Sequence, residues 1–160
     1  MVRGFGSGKI KTYLQRPLRA IKIYALLLFI ITAFACRKDR NDDLIPNVPV
    51  NFSIQLSLPG YSNLNSPGGS VEVPGVGYKG VVVYRSIDGF VAFDMACPYD
   101  PSSSTGILHV DSSGIMMTDV NCGSRFNLTD GSIVNGPTSR PMKRYNTEWD
   151  QGGNVVHIYN

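Results

Sequence analysis

The chain has 160 residues, 42% of them hydrophobic, which is enough for one domain with a modest core and a leader segment. The net charge of +3 comes from the first 35 residues, which hold six Lys or Arg and no Asp or Glu. Removing these six from the fifteen basic residues leaves nine, against twelve acidic residues. The rest of the chain is therefore acidic and has no basic stripe, which argues against nucleic acid as a partner.

Residues 1–35 have the organisation of a secretory signal peptide. Their basic residues precede an apolar run, Ile23 to Ala35, of about 13 residues, whereas a helix that spans a bilayer takes about 20. The run ends in Ala33-Phe34-Ala35-Cys36, which resembles a bacterial lipobox. This resemblance implies diacylation of Cys36 and a lipid anchor in a bacterial envelope membrane, on the periplasmic face or the cell surface. A plain signal peptide or a short uncleaved anchor is the alternative.

A charged run without apolar period follows Cys36, from Arg37 to Asp43. Such a run is typical of a solvated tether. We therefore predict a tether over residues 36–50 and a folded domain over residues 51–160.

The predicted domain consists of short strands separated by turn residues. Apolar and polar residues alternate from Val50 to Leu58, which predicts a half-buried strand that Pro59-Gly60 ends. Further strands are predicted at Val71 to Val73, Gly80 to Arg85, Phe90 to Asp94, Ile107 to Val110, Gly114 to Met117, Ser132 to Asn135, and in a closing hairpin of Lys143 to Thr147 and Asn154 to Tyr159. No stretch after residue 50 has a helical period of useful length. The sequence thus predicts an all-β domain of about nine short strands, a small antiparallel sandwich or barrel.

Two cysteine-bearing turns follow β-rich runs, Ala96-Cys97-Pro98-Tyr99 and Asn121-Cys122-Gly123-Ser124-Arg125-Phe126. The second is followed by Asp130-Gly131 and then by Gly136-Pro137 and Pro141. In this order and spacing, these segments resemble the two cluster loops and the proline loop of Rieske iron–sulfur proteins. The resemblance covers roughly residues 80–159 and implies a small Rieske-like antiparallel β fold.

The family's cluster ligands are mostly replaced in this chain. In that family two Cys hold one iron and two His hold the other, in loops that read Cys-x-His and Cys-x-x-His-Gly-Ser-x-Phe. The four ligand positions fall on Cys97, Tyr99, Asp119 and Cys122. Only Cys97 keeps its type, because a phenol, a hard carboxylate and a thiolate occupy the other places. We expect no bound cofactor, with an altered 2Fe–2S cluster as the alternative.

The resemblance also implies a different use for the two cysteines. The two loops of the family face each other across the cluster site, so Cys97 and Cys122 could approach closely enough for a disulfide. A secreted chain meets an oxidising compartment, which favours this pairing. A metal site of Cys97 and Cys122 with Asp119 and His109 is the other possibility, although structural zinc prefers closely spaced Cys and His pairs. His109 lies between Leu108 and Val110, where a surface strand position is the simpler interpretation.

Some residues have structural interpretations only. Gly123 and Gly131 are expected to satisfy turn geometry. Phe126 is expected in the core, and Trp149 as a surface contact or a filler of the closing hairpin.

No catalytic residues are identified, since neither His has a nucleophile partner and no phosphate-cradling glycine loop is present. We therefore do not expect an enzyme. The expected function is that of an envelope lipoprotein whose Rieske-like domain acts as a structural or binding module. Electron transfer through an altered cluster is the alternative. An oxygenase component is a third possibility, and it would need a catalytic domain from another chain.

Overall fold

The computed structural model describes residues 45–160, which form an all-β domain as the sequence predicts. The predictions for residues 1–35, for lipidation at Cys36 and for most of the tether lie outside the described residues. No helix in the described part of the chain is long and apolar enough to cross a membrane.

Residues 45–160 contain ten strands and one short helix. The strands are β1 Asn51–Gln55, β2 Ser70–Val73, β3 Val81–Arg85, β4 Phe90–Asp94, β5 His109–Val110, β6 Met116–Thr118, β7 Arg125–Asn127, β8 Ile133–Asn135, β9 Arg144–Asp150 and β10 Val155–Tyr159. A 3₁₀ helix, Pro59–Asn65, follows β1. The first strand ends before the predicted Leu58, because the Leu58 N–H donates to the Gln55 carbonyl and closes a turn there.

Six strands form one curled antiparallel sheet in the order β1-β10-β9-β4-β3-β2. The predicted closing hairpin is β9 and β10, in which Val155 lies opposite Asp150 and Tyr159 opposite Asn146. One face of this sheet surrounds a cluster that we call the first core; its buried members are Val50, Ile54, Leu56, Leu64, Val81, Val83, Phe90, Ala92, Tyr145, Val156 and Ile158. Trp149 is half-buried against it, with its ring centroid 5.5 Å from that of Phe90 and the Arg85 guanidinium 4.1 Å away. Trp149 therefore packs between the closing hairpin and the first core.

The other four strands form a smaller antiparallel sheet in the order β5-β6-β7-β8. A second core joins the two sheets; its buried members are Val82, Tyr84, Val91, Phe93, Met95, Cys97, Leu108, Met117, Phe126, Leu128 and Met142. Strand β3 contributes Val81 and Val83 to the first core and Val82 and Tyr84 to the second. A strand covered on both faces carries an unbroken apolar run, which explains its lack of alternation.

Residues 45–50, which the sequence assigns to the tether, lie against the domain. Ile45 and Val50 are buried. The Lys143 ammonium donates to the Pro46 carbonyl at 2.9 Å, and the Asn160 amide donates to the Val48 carbonyl at 2.8 Å. The packed part of the chain therefore begins before residue 51.

Candidate thiol–carboxylate site

The first cysteine loop follows β4 and is held by backbone bonds. The Cys97 N–H donates to the Gly106 carbonyl at 3.0 Å, and Ala96 pairs with Ile107 in an isolated bridge. These contacts place the Cys97 side chain in the second core, where it is fully buried.

Asp94, the last residue of β4, fixes the start of this loop. Its buried carboxylate accepts hydrogen bonds from the Tyr145 hydroxyl at 2.7 Å, the Tyr78 N–H at 2.7 Å and the Ala96 N–H at 2.8 Å. Burial, together with the contact to Asp94, raises the pKa of Tyr145 above its ordinary range. The only sequence signal for this role is an acidic residue ending an otherwise apolar strand.

The second cysteine loop is a tight turn between β6 and β7. The Asp119 N–H donates to the Ser124 carbonyl at 2.9 Å, and the Gly123 N–H donates to the Asp119 carbonyl at 2.8 Å. Gly123 has a φ of 74°, which confirms the expected turn role of this glycine. The Asn121 N–H donates to Asp119 Oδ1 at 2.8 Å, which fixes the carboxylate inside the turn.

The proline loop, which begins at Gly136 directly after β8, packs against the second cysteine loop. Gly136 has a φ of 111°, and a Cβ at this position would lie 2.4 Å from Ser124 Cα. The close approach therefore requires glycine. Phe126, two residues after Ser124, is fully buried, as the sequence predicts.

The two loops bring Cys97, Asp119 and Cys122 together. Their ligand atoms all lie within 4.8 Å of one another. The two Sγ atoms are 3.6 Å apart, and Cys122 Sγ lies 3.3 Å from Asp119 Oδ2. Cys122 Sγ also lies 3.0 Å from Ser124 Oγ. A disulfide has an S–S length of about 2.05 Å, so the structure contains two free thiols in contact.

Burial and the neighbouring carboxylate control the charge of the site. Burial is the main cause that raises the pKa of Cys97 to about 12, followed by the hydrogen bond to Asp119. Burial alone would raise the pKa of Asp119, which is 1% exposed, but hydrogen bonds from Cys97, from the Asn121 N–H and from Cys122 outweigh it and lower that pKa. At neutral pH the site therefore contains an ionised carboxylate beside a protonated Cys97 thiol.

Two residues considered as ligands from the sequence are placed differently. Tyr99 is 52% exposed, and its backbone amide acts to lower the pKa of the Cys97 thiol, against the larger effect of burial. His109 lies on the surface of β5, with Nδ1 3.1 Å from Glu72 Oε2, and it is not part of the thiol–carboxylate group. The surface interpretation of His109 therefore agrees with its position.

The gathered side chains do not fit an ordinary Rieske cluster. That cluster needs two thiolates on one iron and two imidazoles on the other. Here the group offers two thiols and one carboxylate. Both His side chains of the chain are exposed and have other partners, since His157 Nδ1 lies 2.8 Å from Ser53 Oγ. The imidazole half of the ligand set is therefore missing from the pocket.

The chain matches no protein-family model and no curated protein. Among solved structures it is similar to the complex of reduced oxygenase and oxidized ferredoxin in carbazole 1,9a-dioxygenase, at 24% identity over 59% of this chain and 82% of that one, with a TM-score of 0.43. It is also similar to a protein described as an NADH-dependent nitrite reductase small subunit from Mycobacterium tuberculosis, at 21% identity, 71% and 97% coverage and a TM-score of 0.42. The ferredoxin of carbazole 1,9a-dioxygenase from Nocardioides aromaticivorans IC177 is similar at 17% identity, 70% and 97% coverage and a TM-score of 0.43. These similarities concern the β fold and have TM-scores below 0.5.

Proposed function

We propose that this protein is a lipid-anchored component of a bacterial cell envelope whose Rieske-like domain carries a dithiol–disulfide pair in place of an iron–sulfur cluster. In this proposal the domain works as a structural or binding module and not as an electron carrier. The contact between Cys97 Sγ and Cys122 Sγ, 3.6 Å apart and supplied by two separate loops, is the observation that carries it.

Disulfide formation needs only a small movement of this pair. The sulfurs must approach by roughly 1.5 Å to reach bonding distance. The bond would close a loop between residues 25 apart in sequence and stabilise the domain by about 3 kcal/mol in the chain-entropy model. It would thereby fasten the small sheet to β4 at the point where the two cysteine loops meet.

Thiol–disulfide exchange would begin at Cys122 and finish at Cys97. Cys122 is partly exposed, whereas Cys97 is buried, and burial raises the pKa of its thiol to about 12. The Cys122 thiolate attacks the disulfide of an oxidised donor protein and forms a mixed disulfide, and one donor thiol leaves. Cys97, losing its proton as it attacks, then displaces the second donor thiol. Two protons and two electrons leave the pair, and the donor is reduced to two thiols.

The envelope location is supported by the basic and apolar organisation of residues 1–35 and by the lipobox-like end at Cys36. We expect Cys36→Ser to leave the precursor unprocessed, as measured by its mass and by labelling with a radioactive fatty acid. Normal cleavage with release into the soluble fraction would instead indicate an ordinary signal peptide.

The binding role is supported by apolar side chains exposed on the two loops. Tyr99 is 52% exposed and Val120 is 89% exposed. Apolar and aromatic side chains beside a buried polar group are suited to a protein partner.

The disulfide is tested by mass spectrometry without reduction. In the full-length Cys36→Ser variant, Cys97 and Cys122 are the only remaining cysteines. Protein isolated from the envelope under thiol-blocking conditions should carry no blocking group and weigh two hydrogens less than after reduction. The Cys36→Ser, Cys122→Ser double variant is the matched control and should be blocked at Cys97 after unfolding. Two blocked thiols in the metal-free single variant would refute the disulfide.

A further inference from the structure

We propose that the reduced pocket binds one thiophilic divalent cation, such as Zn²⁺, through Cys97, Cys122 and Asp119, with water in the fourth position. The inference goes beyond the proposed function, because it concerns the reduced state and does not require that the disulfide ever forms. It also differs from a two-iron cluster, since it places all three donors on a single ion.

Two of the three donor separations are close to those of ligands around one tetrahedral ion, and the third lies within 4.8 Å. With Zn–S bonds of about 2.3 Å and Zn–O bonds of about 2.0 Å, tetrahedral angles put two sulfurs about 3.8 Å apart and a sulfur and an oxygen about 3.5 Å apart. The observed separations are 3.6 Å between the two Sγ atoms and 3.3 Å between Cys122 Sγ and Asp119 Oδ2. A cation would therefore need only a slight widening of the pocket.

The surroundings of the donors are suited to ligands that carry negative charge. The Ser124 N–H points at Cys122 Sγ at 3.4 Å. The Asn121 N–H holds Asp119 Oδ1 at 2.8 Å, which leaves Oδ2 directed toward Cys122. Outer contacts of this kind orient metal ligands and stabilise their charge. Two thiolates and one carboxylate in a mostly buried pocket would otherwise repel one another, and a divalent cation offsets that repulsion.

The donor types select the class of ion. Two sulfurs and one carboxylate oxygen suit Zn²⁺ or a similar transition metal, whereas Ca²⁺ and Mg²⁺ take oxygen ligands. Three protein ligands leave one position of a tetrahedron open, unlike the closed four-ligand sites of structural zinc. Cys97 and Asp119 are buried and Cys122 is only partly so, which places the open side at Cys122.

The test uses the full-length Cys36→Ser protein in a mild detergent, reduced and metal-free, titrated with Co²⁺ without air. We expect one equivalent to bind, with a thiolate-to-cobalt charge-transfer band, d–d bands of tetrahedral intensity, and displacement by Zn²⁺. Asp119→Asn keeps the size of the side chain and an acceptor for the Asn121 N–H, so it should remain folded. It should weaken Co²⁺ binding roughly tenfold or more, since loss of even an outer partner costs about 10–100-fold.

The matched control is Asp111→Asn, which removes a carboxylate that pairs with Arg125 at 2.8 Å outside the pocket. This variant should bind Co²⁺ as tightly as its parent. Absence of the charge-transfer band, or equal affinity in the Asp119→Asn variant, would overturn the inference. Disulfide formation without cobalt binding after reduction would remove this inference alone. Cobalt binding by cysteines that stay reduced in the envelope would support it and remove the proposed disulfide.

Discussion

The two sheets of this domain are stabilised in different ways. The six-stranded sheet has strands of four to seven residues that surround an apolar core. Its stability is therefore the sum of many weak apolar contacts. The four-stranded sheet has strands of two or three residues, and individual turns and polar contacts shape the loops between them. The larger sheet therefore draws its stability mainly from apolar packing, with the hydrogen bonds to Asp94 at the end of β4 as an exception, whereas the loops of the smaller sheet depend on a few turn residues. The Cys122 half of the thiol–carboxylate site lies in one of these loops of the smaller sheet.

The largest expected effect comes from breaking the second core, which joins the two sheets. Phe126→Ala removes a fully buried ring and should lower the free energy of unfolding by about 3–5 kcal/mol. Urea unfolding monitored by circular dichroism measures this. Val120→Ala, on a side chain that is 89% exposed, is the control and should change stability by less than about 0.5 kcal/mol. Equal, small effects of the two substitutions would mean that the sheets are not coupled through this core.

A smaller effect is expected at the anchor of the first cysteine loop. Asp94→Asn replaces an acceptor of several hydrogen bonds by a group that must also donate, and it should cost about 1.5–3 kcal/mol. Tyr145→Phe removes one of these bonds and should cost about 1 kcal/mol. Hydrogen exchange of the Ala96 and Tyr78 amides should accelerate in the Asp94 variant. Unchanged exchange at both amides would show that Asp94 does not hold the loop.

Two glycines, Gly123 in the second cysteine loop and Gly136 beside it, should differ in the cost of an added methyl group. Gly136→Ala would put a Cβ 2.4 Å from Ser124 Cα, and relief of this clash should cost roughly 1–3 kcal/mol and displace the Cys122 loop. At Gly123 the space around a Cβ is open, so alanine there meets only the strain of a φ of 74°, about 1 kcal/mol. Thermal unfolding of both variants provides the measurement. A Gly123 variant less stable than the Gly136 variant would contradict the close contact between the proline loop and the Cys122 loop.

The smallest expected effect concerns the reactivity of Cys97 in the reduced, metal-free protein. Burial and Asp119 raise its pKa from 9.0 to about 12, so Asp119→Asn should lower the pKa and accelerate alkylation at pH 9. Because burial is the larger cause, the pKa should stay above 9.0 in the variant. Alkylation rates against pH, read by mass spectrometry, measure the shift. A slower reaction in the variant would contradict the role of the carboxylate.

The same pKa gives the sign of a pH effect on stability. Cys97 is held neutral in the folded protein, so its contribution is complete below pH 9 and is lost as the pH rises from 9.0 toward about 12. Cys97→Ala, made in the reduced protein, should remove this part of the alkaline loss.

Much of the larger sheet could be predicted from the sequence, because its strands carry apolar residues that pack against other apolar residues. The sequence predicts the apolar runs of β3 and β4 and the closing hairpin of β9 and β10 to within three residues of the observed bounds. The sequence does not predict strand β7, because only one of its three residues, Phe126, is apolar. A strand this short has no alternation of apolar and polar residues that could be recognised. It is a strand because β6 and β8 pair with it on either side.

The site could be predicted only in its residue types. The family resemblance indicated Cys97, Asp119 and Cys122, and these three do converge. The exposure of Tyr99 and the pairing of His109 with Glu72 could not be predicted, since each depends on how separate strands pack. The anchoring role of Asp94 was missed for the same reason, because its partners lie up to 51 residues away along the chain.

Iron and acid-labile sulfide analysis of the full-length protein, purified from the envelope without air, tests most directly whether the pocket binds an iron–sulfur cluster. A pocket with two thiols, one carboxylate and no imidazole should yield neither iron nor sulfide in stoichiometric amount, and the protein should be colourless. Two irons and two sulfides per chain, with absorption bands in the visible, would contradict both the dithiol function and the single-cation site.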